Sequence, residues 1–283
     1  MKTVLISGIN GFLGSNLAKV LETEYAIVGT EYSLDNLFRL AGKNYSVFEA
    51  DHDSITKIFK AFKIDVIIHT ATLYGRDNEI TSDLVKANSL SPLTLLEVGI
   101  KNKVPLFINT DTVLDKFTSA YSLTKSHFRD WLQFYSEQIK VVNLQLEHFY
   151  GPGCPETNFI TRMIKLLKSN VSHIDLTTGE QKRDFVYYSD VVTAFLSVMN
   201  NIKDFNKSFS QFEVCTGNLI SIKELLTFIK VNLNSNTELR FGAIEYRKNE
   251  LKNEKKCNKG LYKLGWTPRV EIYDGLLATI KET

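Results

Sequence analysis

Read from its amino terminus, the chain alternates short apolar runs with apolar stripes at helical spacing. Residues 3–7, 26–29, 66–69, 106–110 and 141–146 are dominated by apolar side chains and short enough for strands. Between them, Leu13, Leu17, Val20 and Leu21 share one helical face, and similar stripes fall within 83–99 and 123–138. Such alternation predicts a parallel sheet with helices on both sides. Unbroken apolar stretches such as Val66-Ile67-Ile68 agree, because a parallel sheet is covered on both faces.

After residue 148 the pattern changes. Gly151-Pro152-Gly153-Cys154-Pro155 reads as a loop, a helix follows near 158–168, and the capping box Ser221-Ile222-Lys223-Glu224 opens another that runs to about Asn232. Leu239 to Gly242 reads as a short strand. The expected division is a sheet domain over 1–148, rejoined by about 186–205, and a smaller α/β lobe made of 149–185 and 206–283. Residues 247–259 are rich in charge but interrupted by Glu250 and Glu254, which predicts a solvated loop or helix face.

Composition narrows the function. A chain of 283 residues with 43% hydrophobic and 23% charged positions is an ordinary globular protein, neither disordered nor membrane-spanning. A net charge of +2 is too small for a nucleic-acid footprint, so a small-molecule partner is expected. Cys154, Cys215 and Cys257 are widely spaced and form no C-x-x-C pair, so neither a disulfide nor a zinc site is predicted and a reducing cytoplasm fits. His52, His69, His127 and His173 show no metal-ligand spacing either.

Gly8-Ile9-Asn10-Gly11-Phe12-Leu13-Gly14 follows the first strand directly and opens the first helix. In that context glycines let backbone N–H groups approach a pyrophosphate at the helix amino terminus, the device of a Rossmann-type doubly wound sheet. Glu31, ending the second strand, is placed to accept hydrogen bonds from an adenosine ribose, and its charge favours NADH over NADPH. Asp51, after the third strand, suits the adenine edge.

Tyr121-Ser122-Leu123-Thr124-Lys125 sets a phenol and an ammonium one helical turn apart on the same face. The pair follows a strand whose carboxyl end carries Asn109-Thr110-Asp111, where open α/β sheets bind their ligands. Carbonyl reduction builds negative charge on oxygen, so a proton donor and a second hydrogen-bonding group there lower the barrier. Tyr121 is the expected donor and Thr110 its partner. Lys125 is expected to lower the Tyr121 pKa and to hold the nicotinamide ribose.

These motifs resemble the extended short-chain dehydrogenase/reductase family, also described as NAD-dependent epimerases and dehydratases, essentially end to end. Tyr74-Gly75-Arg76, Gln145 to Gly153, Thr177-Thr178-Gly179-Glu180-Gln181, Arg183-Asp184-Phe185, Phe241 to Glu245 with Arg247, and Gly265-Trp266 look like the branch that makes CDP-abequose and CDP-paratose. That branch reduces the 4-ketone of a CDP-linked 3,6-dideoxyhexose with NADPH in O-antigen sugar synthesis. The resemblance implies a nucleotide-diphosphate sugar as partner and a homodimer through a four-helix bundle. It implies cofactor contacts from Gly8, Asn10, Gly11, Phe12, Leu13, Gly14, Glu31, Asp51, His52, Thr70, Ala71, Thr72, Asn88, Tyr121, Lys125 and His148. Tyr74, Arg76, Thr110, Asp111, His148, Asn158, Arg183 and Arg247 are the implied sugar contacts. Asn88 would also brace the helix that carries Tyr121. Related dehydratases continue Thr-Asp with a glutamate base, whereas Thr112 stands here, which argues against elimination. Two rivals stay open: a nucleotide-sugar 4-epimerase using the same Tyr121 and Lys125, and a non-catalytic dinucleotide-binding regulator on the same fold.

Overall fold

The computed structural model describes residues 1–202, 208–246, 257 and 259–283. In chain order its strands are β1 (Lys2–Ser7), β2 (Tyr25–Glu31), β3 (Ser46–Glu49), β4 (Val66–His69), β5 (Leu106–Thr112), β6 (Lys140–Leu146), β7 (His148–Tyr150), β8 (His173–Leu176), β9 (Lys182–Tyr187), β10 (Phe209–Val214), β11 (Leu219–Ser221) and β12 (Glu238–Phe241). The helices are α1 (Phe12–Leu21), α2 (His52–Ala61), α3 (Thr81–Val85), α4 (Ser91–Lys101), α5 (Ala120–Phe134), α6 (Phe159–Lys168), α7 (Tyr188–Asn200), α8 (Ile222–Asn232) and α9 (Ile272–Glu282).

Seven strands share one sheet in the order β10-β6-β5-β4-β1-β2-β3. The pairs β1–β2, β2–β3, β1–β4 and β4–β5 are parallel, as the continuous apolar runs require. After β3 the chain crosses to the other side of β1 and resumes at β4, so the strand order reverses there and opens a crevice beyond the strands' carboxyl ends. This is the predicted Rossmann-type architecture. Its core joins Leu5, Val28, Ile67 and Phe107 from the strands with Phe128 and Leu132 from α5. On α1, Leu13, Leu17 and Leu21 are buried, whereas Val20 lies at the rim, 43% exposed.

Two local devices position the chemistry. Ser119 caps α5 by accepting from the Ser122 N–H (3.1 Å), and Ser122 Oγ accepts from the Ser119 N–H (2.9 Å), which starts the helix just before Tyr121. Between α3 and α4 the helix winds through a π turn, Lys86–Leu90, which holds the fully buried Asn88.

The chain divides into two compact units, Met1–Gln145 with Val198–Phe212, and Leu146–Ser197 with Glu213–Thr283. The segment that returns to the sheet is therefore not the expected 186–205. Most of α7 belongs to the second unit, where Asp190 Oδ2 accepts from the N–H groups of Arg269 and Val270 at 3.0 Å and Trp266 Nε1 donates to the Asp190 carbonyl. The second unit has its own core, with Ile160, Ile164 and Leu167 of α6 meeting Leu225, Leu226 and Ile229 of α8.

One expectation is overturned. Cys215 and Cys257, 42 residues apart, are joined by a disulfide with Cα atoms 6.1 Å apart. Spacing along the chain reveals local cysteine motifs, not pairs that folding brings together. Asp184 lies close enough to both sulfurs to complete a three-residue candidate metal group. The S–S bond withdraws both thiolates, and Asp184 accepts hydrogen bonds from Thr216 N, Thr216 Oγ1 and Gly217 N. Among the described residues no helix is long and apolar enough to cross a membrane. Most of 247–259, Arg247 included, lies outside the described residues.

Candidate active site

Gly8 leaves β1 with φ at +73°, and a Cβ there would lie 2.7 Å from the Ala71 Cα. A Cβ on Gly14 would lie 2.2 Å from the Gly8 carbonyl oxygen. Only glycine fits either position. Gly11 caps α1 without a side-chain hydrogen bond, so the first turn through Phe12 and Leu13 meets the crevice with backbone. Around this loop the polar groups are tied to one another. Glu31 accepts from the N–H of Asn10 (2.9 Å) and of Tyr32 (3.1 Å), Asn10 donates to the Asn36 carbonyl and accepts from the Arg39 N–H, and Thr70 Oγ1 donates to the Ser7 carbonyl at 2.7 Å. Asp51 caps α2 through the Ser54 N–H (2.9 Å), and bonds to Ser54 hold its carboxyl below the usual carboxylate range. His52 is exposed on the first turn of α2.

The ends of β4 and β5 are different. His69 is buried, its Nδ1 2.6 Å from Ser7 Oγ, and burial, seconded by Lys125, pushes its pKa well down, so the ring is neutral. His69 Nε2, Thr72 Oγ1, Asn109 Oδ1 and Thr110 Oγ1 are buried and have no hydrogen-bond partner among the described residues. Asn88, by contrast, is fully engaged: it accepts from Leu73 N–H and donates to the Leu73 carbonyl, both at 2.8 Å, and donates to Thr124 Oγ1 at 3.1 Å. Its amide therefore braces the β4 exit against α5.

Tyr121 packs against Tyr74 with ring centroids 5.1 Å apart and the rings tilted by 36°, and the Arg76 guanidinium lies 4.6 Å above the Tyr74 ring. Burial raises the Tyr121 pKa well above its ordinary value, with Tyr74 and Asp111 adding to the effect; a hydrogen bond with Thr112 and the Arg76 charge oppose it. Lys125, 2% exposed, is lowered to about 8, first by burial and then by Arg129, against the pull of Asp111. The expectation that Lys125 would lower the Tyr121 pKa is thus reversed, because burial penalises both charged forms. The phenol is therefore held in its protonated form.

Strand alternation sorts the end of β5. Thr110 and Thr112 share one face, and Asp111 occupies the other. Asp111 Oδ2 accepts from Arg129 Nε at 2.5 Å and from Asn143 Nδ2 at 2.8 Å, and Oδ1 accepts from the Thr112 N–H. Both Asp111 carboxylate oxygens are therefore engaged by protein donors. Thr112, read from sequence only as a missing glutamate, bonds to Tyr121. Its two-residue offset from Thr110 was the available signal.

In the second unit, His148 is exposed rather than a core histidine, with Nδ1 3.5 Å from a Glu147 carboxylate oxygen and its ring 5.6 Å from Phe185. Asn158 caps α6 by accepting from the Ile160 N–H (3.1 Å) and donates to the Phe149 carbonyl (3.0 Å). Arg183 Nη1 donates to the Lys182 carbonyl at 2.8 Å and does not pair with Asp184, which holds the 216–217 turn.

A glycine cradle that any Cβ would fill, followed by buried, unpartnered polar atoms at the next two strand ends, fits an elongated group with a phosphate bridge at one end and hydrogen-bonding functions at the other. That describes a dinucleotide, and the phenol beside it makes the class a dinucleotide-dependent enzyme of the short-chain dehydrogenase type. Residues 4–210 match the NAD dependent epimerase/dehydratase family, and the chain belongs to it. It is 33% identical to CDP-abequose synthase of Salmonella typhimurium, over 98% of this chain and 97% of the relative. It is 30% identical to dTDP-D-glucose 4,6-dehydratase of Bos taurus, over 99% and 88% of the two chains. Among solved structures it resembles UDP-glucose 4-epimerase of Thermotoga maritima with UDP-glucose, at a TM-score of 0.85, 21% identity and coverage of 99% and 98%.

Proposed function

We propose that the protein reduces the 4-keto group of a nucleotide-linked 6-deoxy or 3,6-dideoxyhexulose, in the manner named for CDP-abequose synthase, during deoxysugar synthesis for a surface polysaccharide. The observation that carries this reading is the split at the end of β5. Thr112 bonds to Tyr121, while Arg129, Asn143 and the Thr112 N–H hold the Asp111 carboxylate. Dehydration needs a further acid and base. Here the aspartate is locked in an ion pair and the position after it carries a weakly basic hydroxyl.

When bound, the reduced dinucleotide supplies the hydride. Gly8, Gly11 and Gly14 would admit its pyrophosphate, and Thr72 and Lys125 would meet its nicotinamide half. Tyr121 transfers its phenolic proton to the ketone oxygen, turning the carbonyl into a hydroxyl, while Thr110 Oγ1 donates a hydrogen bond to the same oxygen. The Thr112 hydroxyl and the Arg76 charge then stabilise the phenolate until solvent returns a proton. Arg183 and Arg247 are the proposed partners of the sugar's diphosphate, since guanidinium matches phosphate in a bidentate way.

We assign NADH as the preferred reductant, because two backbone N–H groups fix the Glu31 carboxylate at the ribose-facing end of β2. We further propose a homodimer through α4 and α5, where the π turn leading into α4 exposes Leu90 and α5 exposes Trp131 and Phe134, and a cytoplasmic setting, where reduced dinucleotide is regenerated. Light scattering that returns a monomer mass at micromolar concentration overturns the dimer. For the reaction, 4-keto-6-deoxy and 4-keto-3,6-dideoxy nucleotide sugars are offered with NADH or NADPH. Stoichiometric loss of absorbance with a 4-hydroxy product by NMR supports reduction; turnover without added reductant points to epimerisation instead.

A further inference from the structure

We propose that Asp111 and Arg129 form a fixed counter-ion pair that positions Lys125 and, through it, Tyr121, which makes Asp111 a positioning residue rather than an acid that meets substrate. The inference rests on the reductase reading for its consequence but on separate contacts for its existence.

Tyr121, Lys125 and Arg129 recur every four residues along α5 and so share one face of the helix. Two of the three are cations, and the Lys125 side chain is as buried as any core leucine. Burying an ammonium beside a guanidinium is costly unless an anion is fixed nearby. Asp111 is that anion. Its side chain is 0% exposed against 24% for Arg129, and it interacts with Lys125 as well.

The carboxylate is immobilised from several sides. Arg129 Nε, Asn143 Nδ2 and the Thr112 N–H all donate to it. Asn143 is held in turn, accepting from Asn109 Nδ2 at 2.7 Å and donating to Gln211 Oε1 at 3.1 Å, so the network ties β5, β6 and β10 to α5. A group held this way cannot swing toward a sugar, yet it keeps a constant charge beneath the proton-donating helix.

The groups facing Lys125 are few. His69 on β4 is neutral, Asp111 stands on β5, and Tyr121 and Arg129 belong to α5 itself. Asn88 and Ser89 of the π turn meet the neighbouring Thr124 and carry no charge. Asp111 and Arg129 therefore act on Lys125 in opposite senses, the carboxylate strengthening its hold on a proton and the guanidinium weakening it.

That opposition gives a test by sign. Full-length protein carrying 13C-labelled lysine is titrated by NMR, with Lys125→Arg assigning the resonance. Asp111→Asn is expected to lower the Lys125 midpoint from about 8, and Arg129→Gln to raise it, each by about one pH unit. The descending limb of kcat/KM against pH should move with each midpoint. Should Asp111→Asn fail to fold, the Asp111→Asn/Arg129→Gln double variant, which strands no charge, is expected to titrate below the wild type, since Asp111 exerts the larger influence. Folded variants whose midpoints stay put, or move in the same direction, overturn the pair. A proper titration shift without reductase activity leaves the pair standing and sinks the reductase reading. Intact reduction with unmoved midpoints does the reverse.

Discussion

The crevice has two ends built on opposite terms. At β1 and β2 almost every polar group is already answered by protein: Glu31 by two N–H groups, Asn10 by Asn36 and Arg39, Thr70 by Ser7. At β4 and β5 four buried polar atoms on His69, Thr72, Asn109 and Thr110 have no hydrogen-bond partner among the described residues. Buried groups of this kind are rare, and leaving one unpaired costs about 1–3 kcal/mol. The first end is a cradle finished before any ligand arrives. The second keeps hydrogen-bonding capacity in reserve, as a site that must respond to developing charge requires.

The contrast can be broken at its centre first. Tyr121→Phe keeps the packing against Tyr74 but removes the proton, and turnover should fall by about two to four orders of magnitude with dinucleotide affinity nearly unchanged. Stopped-flow reduction rates and fluorescence titration with NADH check both halves, and equal turnover would remove Tyr121 from the mechanism. Thr110→Val should cost turnover about 10–100-fold while leaving the melting temperature equal or higher, because a methyl replaces an unanswered hydroxyl. A large drop in melting temperature would show that the hydroxyl is structural.

Proton inventory supplies the next test. Lys125 is charged below about 8 and loses its charge above. If the ammonium form is the active one, kcat/KM of the free enzyme is level at lower pH and declines about tenfold per unit above that value. Tyr121, held well above its ordinary pKa, adds no break in the same range. A profile that rises through pH 8 contradicts the assignment. At the cradle the effects should be smaller: Glu31→Ala relieves repulsion of a 2′-phosphate and should raise the NADPH-to-NADH ratio of kcat/KM about 3–10-fold, near one hydrogen bond's worth of energy. An unchanged ratio would place the carboxylate away from the ribose.

Much of this was legible in the chain, and the misses have physical causes. Strands β1, β4, β5 and β6 announced themselves because burial on both faces demands continuous apolar runs, and the glycine loop because Gly8 and Gly14 admit no Cβ. The Asp111 network was hidden by reading Thr110-Asp111 as a motif rather than as strand, where neighbours face opposite ways. The Tyr121 shift was given the wrong sign because helical spacing shows that an ammonium is near but not how thoroughly both groups are removed from water. Cys215 and Cys257 pair across 42 residues of chain, a contact that local spacing does not display.

The underwound length between α3 and α4 has a consequence for how this chain can vary. A π turn contains one residue more than ordinary winding needs, the mark of an insertion accommodated within a helix. Deleting a single position from 86–90 would restore regular winding and rotate whatever lies on one side of it by about 100°. Asn88 would swing away from Leu73, and the loop bearing Tyr74 and Arg76 would lose its anchor. Relatives that drop that residue should therefore hold this loop by some other means, and their choice of sugar should drift with it.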